Sequence, residues 1–395
     1  MPVRSFLLIT VFTALCSAIQ VDAAPYLPAA DSQILERLPF KPSDPVAREM
    51  AQLRAEILRN PRNLNAAVTL ARRYYGLVAE EGDPRFLGYA QAALAPWWDM
   101  DLPPVEVQVL RASLGQFRHD FDGAVTDLGK VIEREPRHSQ ARSLRATIHI
   151  VQARYEQAGA DCRALNGVAS ELIAIGCEAM VNGLTGKVAG AYDNLHAALK
   201  RHPEAPASDR LWVLLRLAEM AQRQGRLDVA EAHFKQALSL GMTDTFLLAA
   251  YADLLLDQKR PAEVVVMLKD KIPSDTLLLR LVLAEKMLNL PTANQRRETL
   301  VARFLAAQLR GDTVHQQEEA RFALEVENDP RKALGLAQEN WKVQREPRDA
   351  RVFLEAALAA KNPAAAQAVF SWLDKSRIEE RHLISLAQQL KGMRQ

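Results

Sequence analysis

The residues able to do chemistry are scattered along this chain. None of the eight histidines has a second histidine four residues on, so no helix offers the paired imidazoles of a zinc site. His119-Asp120-Phe121-Asp122-Gly123 sets two carboxylates beside an imidazole, but Asp and Gly between two helical patterns read as a turn. Gly183-Leu184-Thr185-Gly186-Lys187 lacks the glycine spacing of a phosphate loop, and Val188 stands where Ser or Thr is needed. Glu80-Glu81, Glu318-Glu319 and Glu379-Glu380 make poor acid/base dyads, because adjacent residues on a helix point apart. Glu325, Glu327 and Asp329 could serve as acid/base groups of an enzyme. They read better as the end of one helix and the start of the next turn. No nucleophile elbow occurs, and no Ser or Cys sits beside a recognisable His partner. The expectation is a chain with no catalytic residue, no metal and no cofactor.

Two pairs of residues stand out structurally. Cys162 and Cys177 are an even pair that an oxidising compartment would allow to bond; buried free thiols are the other reading. Trp97-Trp98, before the stiff segment Asp99-Met100-Asp101-Leu102-Pro103-Pro104, reads either as an exposed anchor or as a plug between helices.

The elements that would position these residues follow from a repeat. Ala112, Ala146, Ala179, Ala218 and Ala252 recur at a period near 34, and Ala124, Ala158, Ala191, Ala230 and Val264 keep the same spacings twelve residues later. Small residues at two fixed phases mark stacked helix–turn–helix units, each burying its apolar face on its neighbours. Ala and Leu dominate and β-branched alternation is rare, so the fold class is all-α. A net charge of +2 argues against the basic stripe that nucleic acid requires.

Residues 1–23 read as a cleaved signal peptide. Arg4 is the basic start, Phe6 to Ala18 the apolar core, and Val21-Asp22-Ala23 the cleavage box before Ala24. An uncleaved anchor is the alternative. Leu15 before Cys16 does not suit lipidation. Residues 24–43 form a Pro-rich linker, with Pro25, Pro28, Pro39 and Pro42 opposing helix. Ser43 or Asp44 can cap a helix running to about Asn60. Hairpins then fill 44–275, and 276–395 holds degenerate hairpins ending in a polar capping helix, Ile378 to Leu390.

The array resembles tetratricopeptide repeats. Leu214, Leu217, Ala218 and Ala221, the Gly225 turn, then Ala230, Phe234 and Ala237 match that pattern over one unit. Ala112, Gly115, Ala124, Leu128 and Pro136 match it in another, and Ala179, Gly186, Ala191, Leu195 and Pro203 in a third. The resemblance implies a right-handed solenoid of about nine hairpins whose first helices line a concave groove. Mapped here, the groove residues are Arg72, Tyr75, Gln116, Phe117, Trp212, Glu219, Arg223, Phe246, Asp253 and Asp257. It further implies a non-catalytic scaffold for a protein or peptide partner, and the signal peptide implies a location in the bacterial periplasm or outside the cell. An accessory role in a membrane-associated complex is the alternative.

Overall fold

The computed structural model describes residues 43–310 and 316–393, so the expected leader and nearly all of the Pro-rich segment lie outside the described residues. The chain divides into two compact units, 1–49 and 50–395. In the first, the Asp44 carboxylate accepts the Val46 N–H at 2.8 Å and caps α1 (Pro45–Arg59). Pro45 opens this helix, where its missing N–H costs nothing.

In the second unit, nine helical hairpins follow among the described residues. They pair α2 (Leu64–Glu81) with α3 (Arg85–Ala93), α5 (Val105–Phe117) with α6 (Phe121–Arg134), and α7 (Ser139–Val151) with α8 (Tyr155–Arg163). Next come α9 (Glu171–Gly183) with α10 (Val188–Arg201), α11 (Ala207–Arg223) with α12 (Leu227–Leu238), and α13 (Thr245–Asp257) with α14 (Pro261–Leu268). The last three pair α15 (Asp275–Met287) with α16 (Thr292–Leu309), α17 (Gln316–Glu325) with α18 (Pro330–Val343), and α19 (Pro347–Ala359) with α20 (Gln367–Ser376). A short α4 (Ala95–Trp98) follows the first hairpin, and α21 (Arg381–Gly392) closes the described chain. No strand occurs among the described residues.

Local chemistry starts and stops these helices. Asn63, Asp120, Ser170, Asp244, Ser274, Asp329 and Glu380 each accept a first-turn N–H at the helix start. His119, Ala153, Gly186, Gly225 and Lys259 adopt left-handed backbone between the two helices of a hairpin, each seven residues after a member of the first alanine row. That conformation reverses the chain in a fixed, short turn. Asn289, Asn328 and Lys361 do the same in the last three hairpins, fixing a register that side-chain identity obscures there.

Every member of both small-residue rows is buried. They lie where paired helices approach, so a larger side chain would separate backbones. Ala218→Leu is expected to cost about 1–3 kcal/mol, read as a lower urea midpoint at unchanged slope. An unchanged midpoint would contradict this packing. Two adjacent hairpins also share an ion pair at one register: Arg111 holds Asp127 at 2.7 Å, and Arg145 holds Asp161 at 2.7 Å.

The C-terminal hairpins fold back on earlier ones. Ile150, Ala158 and Leu184 share one apolar cluster with Phe353, Trp372, Ile378 and Leu383. The Arg345 N–H donates to the Val151 carbonyl at 2.8 Å, and the Gln344 amide meets the His119 imidazole at 2.8 Å. The Trp372 indole N–H donates to the Tyr155 hydroxyl at 3.1 Å. The expected polar cap over an open end is therefore corrected. α21 buries Leu383, Leu386, Ala387 and Leu390, and its first residue, Arg381, lies against the Gly225 turn. Its apolar stripe at i, i+3, i+4 and i+7 requires a partner surface, which α19 supplies.

Candidate functional site

The expected groove residues divide into two groups. At the first two hairpins, Arg72 is exposed and Gln116 half-buried. The Tyr75 ring meets Phe117 edge-on at 5.5 Å. Burial raises the Tyr75 phenol pKa, and a hydrogen bond with Ser113 acts the other way. Trp212 packs so closely on α9 that a Cβ at Gly176 would clash with its ring. Phe246 is 43% exposed.

The second group is taken by the chain itself. Asp253 accepts from Arg280 at 2.8 Å and from Arg321 at 2.5 Å. These two guanidinium groups hold its carboxyl well below the usual range against the opposing effect of burial. Asp257 takes both ends of the Arg351 guanidinium at 2.7 Å each. Arg351 also holds Glu355, which His382 reaches at 3.2 Å. Glu219 pairs with Arg216 at 2.9 Å. Burial lowers the Arg223 pKa, with the Glu219 and Glu380 charges opposing. Asp253 and Asp257 thus pair with the seventh, eighth and ninth hairpins, and Arg223 is desolvated with its Nε unpartnered, rather than lining an open groove. One repeat unit cannot reveal this, because the partners lie up to 94 residues away.

Trp97 and Trp98 are half-buried in α4, neither fully plugged nor fully displayed. Arg111 fastens this segment by donating to the Trp98 carbonyl at 2.5 Å and the Met100 carbonyl at 2.9 Å. Cys162 and Cys177 form a disulfide joining α8 to α9, with sulfurs 1.98 Å apart. Glu325, Glu327 and Asp329 do not converge. Glu325 pairs with Arg321, Glu327 with Lys332, and Asp329 caps α18. Among the described residues, no three His, Cys, Asp or Glu side chains are grouped to hold a metal. Among them, too, no helix is long and apolar enough to cross a membrane.

A buried polar cluster sits between the second helices of the fourth and fifth hairpins. The Tyr192 hydroxyl and the His233 Nε2 lie 2.8 Å apart, and the Arg226 guanidinium stacks 4.3 Å over the Tyr192 ring. Burial pushes the His233 pKa down to about 4, and the charges of His196 and Arg226 add to this. The unfolded chain therefore takes up a proton at higher pH than the folded one. Stability from this site is complete above about pH 6.5 and is lost as pH falls through about 4, by roughly 2–3 kcal/mol. His233→Gln, which keeps an acceptor for Tyr192 but does not titrate, should flatten the urea midpoint between pH 7 and 4.5. An unaltered pH slope would refute the assignment.

Sequence reading missed one feature, an open cleft of about 760 Å³. The beginning of α10, the turn before α12, the end of α20 and one face of α21 enclose it. Leu373, Ile378, Ile384 and Ala387 supply its apolar surface, and Arg226, Arg377, Arg381 and Lys391 its basic one. The available signal is the α21 spacing Arg381, Ile384, Gln388, Lys391, which places all four on one helix face.

No protein-family model matches the chain, and no curated protein sequence matches it. Several solved structures align with it at low similarity. A tetratricopeptide repeat protein from Parabacteroides merdae aligns over 60% of this chain and 92% of its own, at 14% identity and TM-score 0.46. The Cut9 and Hcn1 assembly of the APC/C aligns over 79% of this chain and 52% of its own, at 14% identity and TM-score 0.38. The human IFIT1 dimer with m7Gppp-AAAA aligns over 88% of this chain and 86% of its own, at 14% identity and TM-score 0.40. The chain's own period, buried small-residue rows and repeated turns define it as an all-α array of stacked helical hairpins, which resembles tetratricopeptide repeats.

Proposed function

We propose that this chain is a non-catalytic scaffold that binds a protein partner in the bacterial periplasm. The observation that carries this reading is the open cleft, where a basic and an apolar surface meet on a rigid stack of hairpins. The expected export signal and the Cys162–Cys177 disulfide support an oxidising compartment. The inner face from Arg223 to Asp257 is engaged within the chain, so partner binding falls to the cleft and to the exposed groove residues Arg72 and Phe246.

A photo-crosslinking residue placed in turn at Gln388, Phe246 and Arg72 in living cells tests this, with fractionation of the same cells. One recurrent protein crosslinked from Gln388 in the periplasmic fraction is the expected result. Crosslinks from Phe246 or Arg72 alone would move the binding surface back to the groove. No protein crosslinked at any position, or a turnover activity lost in Glu325→Gln, would overturn the scaffold reading.

A further inference from the structure

We propose that the cleft beside α21 receives an acidic segment of the partner carrying one large apolar residue. This rests on the scaffold reading and names the chemistry of its partner. The apolar contact is Ile384, which is 41% exposed inside the cleft, with Leu373 and Ala387 beside it. Four cationic side chains surround it, and Arg377, Arg381 and Lys391 make no ion pair among the described residues. The two carboxylates in the cleft offset only two of the four charges. Glu379 accepts the Val188 N–H at the start of α10 at 2.8 Å, and Asp374 is a single charge.

The fold fixes the position of these cations. Arg377 has left-handed backbone, and a Cβ at Gly186 would lie 3.1 Å from its carbonyl oxygen. A Cβ at Gly225 would lie 2.8 Å from the Arg381 guanidinium. The glycine turns of the fourth and fifth hairpins therefore admit the end of α20 and the start of α21 at close range. Arg226 stacks on Tyr192, and Lys391 lies 5.2 Å over the Phe370 ring, so both stems are held while their charge stays exposed. Placed cations around an apolar contact complement carboxylates flanking an apolar side chain. A concave site of this size suits a few side chains of a peptide better than a flat anionic membrane.

The test is selection of short random peptides displayed against the chain from Ala24, with anionic and neutral vesicles as a parallel probe. Recovered peptides should be acidic around one large apolar residue, and their binding should weaken with salt. Arg377→Glu with Lys391→Glu should lower affinity at least roughly tenfold, as should Ile384→Asp. Arg331→Glu, exposed on α18 and outside the cleft lining, should not. Both Arg377 and Lys391 are exposed, and an unchanged urea midpoint verifies that the double variant folds. Peptides without acidic bias, equal binding by the double variant, no recovered peptide, or binding to anionic vesicles alone would each overturn the proposal. A crosslink from Gln388 without acidic-peptide binding would sink this inference and leave the scaffold reading standing. Loss of both would end both.

Discussion

Trp372→Ala should detach the last hairpin from the third and cost about 3–5 kcal/mol in cavity formation alone. Trp372 is buried, its ring meets Trp341 edge-on at 5.5 Å, and its N–H satisfies the Tyr155 hydroxyl. Burial pushes the Tyr155 phenol up to about 12, so the hydroxyl stays neutral and needs a partner. Alanine removes the ring and leaves that hydroxyl unsatisfied, adding about 1–3 kcal/mol. Trp372→Phe keeps most of the packing and should lose about the hydrogen-bond contribution. Urea denaturation gives the magnitude, and hydrogen exchange gives the place. Faster exchange in α19 to α21 and at the Val151 and Tyr155 contacts is expected. A loss under about 1 kcal/mol with unaltered exchange would show that this seat does not hold the fold-back.

The second large effect is at Asp253. Arg280 and Arg321 are nearly inaccessible to solvent, and one carboxylate on α13 pairs with both. Breaking a buried pair by removing one partner costs about 3–5 kcal/mol, because the remaining charge stays buried without compensation. Here the lower end is expected. Arg280 keeps the Thr276 carbonyl at 2.9 Å, and Arg321 keeps Glu325 at 2.6 Å. Asp253→Asn tests the charge at constant shape and should recover only a small part of the loss. If Asp253→Ala and wild type unfold at the same urea concentration, the inner ion network is not what aligns the sixth, seventh and eighth hairpins.

Acid also bears on this network. The Asp253 carboxyl is held below its usual range, so its stabilisation persists well under pH 4 and is lost only as pH falls further. His233 loses its contribution earlier, between about pH 6.5 and 4. Softening between α10 and α12 on acidification should therefore precede loss of the Asp253 network.

The sequence alone determined the helical-hairpin architecture, because that information is local and repeated. A small residue is needed wherever two helices touch, and Ala112 through Ala252 record that need once per unit. Turns, caps and the candidate disulfide pair were legible for the same reason. Legibility failed after Pro273, where α15 is buried around most of its circumference from Leu277 to Glu285 and shows no polar face to set a period. The first alanine row gives way there to Val282, Arg321 and Leu354, while Ala333 and Ala366 keep the second.

Only the tertiary structure decided which groove residues are open. Asp253 and Asp257 have the same sequence appearance whether they face solvent or an arginine 68 or 94 residues away. Stacking brings the end of α20 and the start of α21 against the turns at Gly186 and Gly225, a placement that no single unit encodes. The cleft exists because of that return. Its cations come from the turn before α12, the residue after α20, and α21, segments that nothing in the local sequence marks as neighbours.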